Sequence, residues 1–81
     1  MPSFKTLDVR PILTRGGDPL AKIRAAIDAL RPGEGLSVVA PFLPSPLIEK
    51  LGSEGFQSRV ERQLGGTWIA HFWRDESQAG H

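Results

Sequence analysis

The 81-residue chain contains no cysteine. That excludes disulfides, thiolate metal sites and persulfide carriage on a thiol of its own. Histidine is almost as scarce. Only His71 and His81 could supply imidazole, and His81 is the last residue, so a multi-histidine metal site is excluded. Charge of one sign is lacking too: ten Lys plus Arg against nine Asp plus Glu leave a net +1. That is far from the basic footprint of a nucleic-acid-binding domain. No apolar run approaches the roughly 20 residues needed to span a bilayer, and "MPSFKTLDVR" has no apolar stretch of the kind a secretion signal carries. These absences lead us to expect a soluble, cytoplasmic protein with no membrane segment, metal or cofactor. A chain this short makes one domain with a stability margin on the order of 5 kcal/mol at best. Such domains often lean on a second copy or a partner.

What is present is clear punctuation between short apolar patterns. "FKTLDV" alternates, with Leu7 and Val9 on one face, and predicts a first strand. "RPILTRGG" then turns the chain, with Pro11 unable to donate a ladder bond. Leu20, Ile23, Ile27 and Leu30 recur at helical spacing. Asp18 suits the N-cap of that helix and Pro19 its first turn, and "RPGEG" stops it. "LSVVAPF" is a nearly continuous apolar run, the pattern of a strand in the middle of a sheet. In "LPSPLIEKLGSEG" the N-cap falls on Ser45, with Pro46 behind it. Leu47, Ile48 and Leu51 define a second helix, capped by Gly52 or Gly55. "FQSRVERQL" alternates, "GG" makes a two-residue hairpin turn, and "TWIAHFWR" is the last strand.

The order is β-α-β-α-β-β. A strand–helix–strand unit is parallel and right-handed, and the final pair is an antiparallel hairpin. The expected fold is an α+β two-layer sandwich, a mixed four-stranded sheet with two helices on one face. It forms a single domain over residues 4–74, and "DESQAGH", residues 75–81, is expected to be a disordered tail.

The skeleton resembles the TusA-like, or SirA-like, family of small sulfur-carrier domains. The residues that carry the resemblance are "LDVR", the helix entry "GGDPL", "PGEGLSVVA" and the closing "GGTWIAHF". They span most of the chain, and the likeness is closest to an uncharacterised bacterial branch, a domain of unknown function. The resemblance implies the same sandwich. It also exposes a departure. The carriers place a reactive cysteine before the first long helix, and here that place falls at about Gly16, which can carry no persulfide. Some relatives have a histidine before the second helix, where this chain has about Phe42, so a metal there is not expected either.

No catalytic residue is assigned. Ser37 and Ser45 have no base beside them in the sequence, and His71 has no neighbouring nucleophile. "GSEG", Gly52 to Gly55, fits the Gly-x-x-G of RNA-binding KH domains, but a glutamate stands where a phosphate clamp needs positive charge. Helix termination explains it better. "TRGGDP" is the stronger feature. Both helices begin at one sheet edge, where ligands of α/β folds bind. Arg10, Arg15, Gly16, Gly17, Asp18 and Ser45 there could hold a small anion. The simpler reading is a flexible turn feeding a capped helix.

The last hairpin decides what the open sheet face carries. With a two-residue turn, Val60 faces His71 and Arg62 faces Ile69, while Trp68, Ala70 and Phe72 share the other face. That arrangement exposes a large aromatic pair. A bulge at the turn would move Trp68 and Phe72 into the core and leave Ile69, His71 and Trp73 outside, and this is the version we expect. An apolar patch of that kind marks a contact, a homodimer or another protein partner, unless the C-terminal tail covers it. The functional expectation is a non-enzymatic module binding a small ligand or a partner. One alternative is an accessory domain of sulfur-transfer or redox metabolism without its own cysteine. The other is a weak RNA-binding module, which the charge disfavours.

Overall fold

The structure is a computed structural model, and it describes residues 3–74. Strand β1 (Ser3–Asp8) leads into a short helix α1 (Arg10–Thr14), then α2 (Pro19–Asp28), β2 (Glu34–Ala40), α3 (Ser45–Ser53), β3 (Phe56–Arg62) and β4 (Trp68–Arg74). The four strands form one sheet in the order β1-β2-β4-β3. β1 runs parallel to β2, while β4 is antiparallel to both β2 and β3. The α+β sandwich with a mixed sheet is therefore the observed fold. The expected tail, residues 75–81, lies outside the described residues.

Each element follows from local chemistry. Asp18 caps α2, its carboxylate accepting the Leu20 amide at 2.9 Å, and Pro19 occupies the first turn, where its missing N–H costs nothing. Ile23 and Ile27 of α2 and Leu47 and Leu51 of α3 are the buried helical residues. They pack on Leu36, Val38, Ala40, Ala70 and Phe72, all from one face of the two central strands. Phe72 and Ala70 are wholly buried. Beyond the helices, on β3, cover thins: Phe56 is buried but Val60 is 41% exposed. Arginine stems finish the job there, Arg74 over Phe56 at 4.9 Å and Arg62 over Trp68 at 5.7 Å.

Two expectations about the helices need correction. The segment after β1 is a full helical turn, α1, because Pro11 falls in its first turn, where no amide donor is needed, and the Leu13 amide bonds to the Val9 carbonyl. Ser45 is the first helical residue of α3. The N-cap position belongs to Pro44, whose carbonyl accepts the Ile48 amide, and no side chain caps that helix.

Candidate interaction surface

The turn that raised the anion expectation is built as a closed helix end. Gly16 has a φ of 74°, the left-handed conformation that glycine adopts without strain. Its amide donates to the Leu13 carbonyl at 3.0 Å, and the Gly17 amide donates to the Ile12 carbonyl at 2.8 Å. This pair of bonds is a Schellman motif on α1, so both glycine amides point inward. Arg10 is also engaged. Its guanidinium donates to both oxygens of Asp8 at 3.0 and 2.7 Å and reaches Thr67 at 3.4 Å. That pairing, with the Arg10 amide, holds the Asp8 carboxyl below the usual carboxylate range. Arg15 and Ser45 are exposed, and Asp18 is occupied by its own helix. Between the starts of α2 and α3 lies a cleft of about 160 Å³ lined by apolar side chains, among them Val9, Leu13, Leu20, Phe42 and Leu47.

Among the described residues no helix lies over the other sheet face. The pairing registers set its side chains in three rows across the four strands. Gln57, Trp73, Gly35 and Phe4 form the first; Arg59, His71, Ser37 and Thr6 the second; Glu61, Ile69, Val39 and Asp8 the third. Ile69, His71 and Trp73 therefore share the open face, each partly exposed, while Trp68, Ala70 and Phe72 turn toward the helices. The cause is the hairpin. Arg62 pairs with Trp68 and the Gln63 amide bonds to the Thr67 carbonyl at 2.7 Å, so Leu64, Gly65 and Gly66 make a three-residue connection. Both glycines are left-handed, at φ 85° and 84°. The extra residue shifts the register by one and flips every β4 side chain relative to a two-residue turn.

An aromatic cluster lies across this face. The Phe4 ring approaches His71 edge-on at 5.4 Å and Trp73 at 6.1 Å. Gly35 makes room for it. A Cβ there would stand 2.6 Å from the Phe4 ring. Below the cluster, Ser37 is buried, and its Oγ lies 2.7 Å from His71 Nδ1, while His71 Nε2 lies 3.3 Å from Glu61 Oε2. One neutral tautomer satisfies both contacts: the Ser37 hydroxyl donates to Nδ1 and Nε2–H donates to Glu61.

A Ser-His-Glu chain invites comparison with a hydrolytic triad, and the geometry argues against that use. Ser37 is 6% exposed and sits mid-strand between two paired neighbours, so the amides of β2 are taken up by its ladders and cannot form an oxyanion hole. What the chain does is fix the His71 ring at the centre of the open face. The sequence did not reveal this partnership, because Ser37 and His71 are far apart along the chain and only the register joins them. Phe4 was missed too, although its alternation with Thr6 and Asp8, opposite to Leu7 and Val9, was the available signal. Among the described residues no cluster of three or more potential metal ligands exists, and no helix is long and apolar enough to cross a membrane.

Residues 6–74 match a protein family described as Uncharacterized conserved protein (DUF2249). Comparisons with curated proteins and with solved structures gave no match.

Proposed function

The chain belongs to the DUF2249 family, and from the geometry of its uncovered sheet face we propose that it is a non-enzymatic module that docks a protein partner there. One observation carries the reading: Phe4, Ile69, His71 and Trp73 lie partly exposed side by side on the face that no helix covers. Aromatic side chains fixed by neighbours bring a large contact area at little entropic cost, which is why they anchor interfaces. His71 is held by Ser37 and Glu61, and Phe4 by the Gly35 gap, so the anchors are ordered before any partner arrives. The helix-start edge supports a small-anion ligand less well, since its glycine amides are spent inside the turn and Arg10 is paired with Asp8.

A single-stranded RNA is the other occupant that an aromatic-bearing sheet can take. The rows of the open face, however, carry Asp8 and Glu61 against Arg59, and binding to RNA needs an excess of positive charge. We place the domain within the TusA-like superfamily, in the cytoplasm. On that relation, its partner is a protein of sulfur-transfer or redox metabolism, supported by the parallel β1–β2 unit and the capped "GGDPL" entry to α2.

Oxidative footprinting of the two tryptophans tests the docking reading. Trp73 is expected to react readily in dilute purified protein and to be protected in intact cells, with Trp68 as the internal control. Equal Trp73 reactivity in both settings would overturn it. A stable complex with a sulfurtransferase would support the narrower relation.

A further inference from the structure

We infer that the open sheet face takes a second copy of this chain, stacked face to face about a two-fold axis that sets Arg59 of each copy against Glu61 of the other. The inference rests on the reading of this face as a docking surface and adds the identity of the occupant. Its basis is the placement of charge on the three rows.

A two-fold axis between two stacked sheets can run along the strands or across them. Along the strands, the axis lays β3 over the partner's β1 and brings Glu61 against the partner's Asp8, like charges at both ends. Across the strands, an axis through the central row would oppose Arg59 to its own copy, and one through the third row would oppose Glu61 and Asp8 to theirs. Midway between these rows the conflict disappears. Arg59 then faces the partner's Glu61, His71 faces the partner's Ile69, and Thr6 faces the partner's Asp8, each contact occurring twice. Glu61 meets His71 through Oε2, which leaves Oε1 to accept from a guanidinium. Stacked sheets lie about 10 Å apart, a gap that an Arg and a Glu reaching from opposite sides close. An axis midway between the first and second rows is also free of like-charge contacts but sets Arg59 against the partner's Gln57, so the register that pairs opposite charges is the one favoured, and every contact in it occurs twice, as an isologous interface requires.

The size of the face sets the strength. Four strands about 4.8 Å apart and six residues at about 3.3 Å each give a face of roughly 400 Å² per copy, of which this register covers about half, leaving the first row with Phe4 and Trp73 open. A stable complex buries about 800 Å² per partner. The dimer is therefore weak and dissociates on dilution. An interface of this size suits a domain that exchanges its own copy for another partner.

The test uses the full 81-residue chain in a dilution series followed by amide NMR and sedimentation. Concentration-dependent shifts are expected at Thr6, Ile69 and His71, with Trp73, outside the overlap, moving less. Arg59→Glu or Glu61→Arg alone should weaken self-association about tenfold, since two attractive contacts become repulsive. The double variant R59E/E61R should recover to within about threefold of the parent. Arg59→Gln, the milder change, checks that the effect is charge and not misfolding and should fall between parent and R59E. The second-copy proposal is overturned if no open-face amide moves up to millimolar protein, or if the double variant is as weak as the singles. It is equally overturned if those shifts ignore concentration but change on removal of residues 75–81, which would make the chain's own terminus the occupant. In each of those cases Trp73 protection in cells still decides the docking reading, so the two failures are separable.

Discussion

Replacing Gly35 by alanine tests whether the aromatic face depends on a missing side chain. Gly35 is buried on β2, paired with Phe4 on one side and Trp73 on the other. A Cβ there would meet the Phe72 carbonyl oxygen at 2.6 Å and the Phe4 ring at 2.6 and 2.8 Å. The ring can rotate away, but a carbonyl in the β2–β4 ladder cannot. Overpacking of this kind costs about 1–3 kcal/mol, and the backbone contact puts it at the upper end. Displacing Phe4 also loses edge contacts to His71 and Trp73, each worth about 0.5–1.5 kcal/mol. Against this stands a gain of about 0.5–1 kcal/mol from the stiffer unfolded chain. The net is a loss of roughly 2–5 kcal/mol, which for a domain of this size lowers the melting temperature by about 10 °C or more. Thermal unfolding followed by circular dichroism reads it, and Trp73 emission should shift as the Phe4 ring leaves. Gly52→Ala is the control, because a Cβ there meets nothing within 4 Å and an alanine in a helix should stabilise by about 0.5–1 kcal/mol. A Gly35→Ala variant that melts within about 4 °C of the parent would refute the close-approach argument.

Ser37→Ala removes the hydroxyl 2.7 Å from His71 Nδ1 and should cost about 1 kcal/mol, the usual net worth of a hydrogen bond. The His71 ring nitrogen shifts should move toward a tautomer mixture, and unchanged shifts would mean that the contact does not fix the ring. The Glu54 carboxyl is held below the usual carboxylate range by the Arg24 guanidinium, which donates to both its oxygens at 2.7 and 2.8 Å. A depressed folded-state pKa adds stability above the unfolded value, and that stability is lost as pH falls through the folded value. Glu54→Gln should therefore lower the urea midpoint at pH 7, with the gap to the parent closing in acid; a gap constant with pH would refute the linkage. Asp18→Ala should destabilise by about 1 kcal/mol through loss of the α2 cap, with a null result pointing to a frayed helix start. Sulfate or phosphate should leave the Gly16 and Gly17 amide shifts unmoved, since both donate to α1 carbonyls. Saturable shifts there would revive the anion cradle.

The element order was legible because it rests on local chemistry. Asp-Pro at the head of α2, the apolar run of β2 and the alternation in β3 each point to one state without reference to anything distant. Local chemistry also misled in one place. The serine before Pro46 satisfied every preference for an N-cap, yet Pro44 sits there, because the turn from β2 delivers the Pro44 carbonyl to Ile48. The short helix α1 was read as a turn because Pro11 was weighed as a strand breaker, although the same residue suits a helical first turn. The strand pairing and the open-face trio Ile69, His71 and Trp73 were anticipated; what the sequence did not show was which polar side chains pair with one another. Arg10 was assigned to a ligand, and its partner turned out to be Asp8, two residues away on the strand end, with Thr67 from the hairpin. Ser37, His71 and Glu61 lie on three strands, and no spacing along the chain announces them.

The open face owes its character to a single residue of hairpin length. A two-residue Gly65-Gly66 turn would satisfy the strongest local preference in the segment, but it would send Phe72 to solvent and bring His71 inward, away from Ser37 and Glu61. Burying Phe72 is worth about 2–3 kcal/mol, and an imidazole in the core would need hydrogen-bond partners that the helix-side residues, Leu36, Val38 and Ala70, do not offer. Core packing therefore outweighs turn preference, and Leu64 is left fully exposed in the longer connection. The same register brings Ser37 beneath His71 and lines up Arg59 with it in the central row. The pattern of charge and aromatic rings available to a partner is thus a consequence of what the core accepts on the opposite side of the same strand.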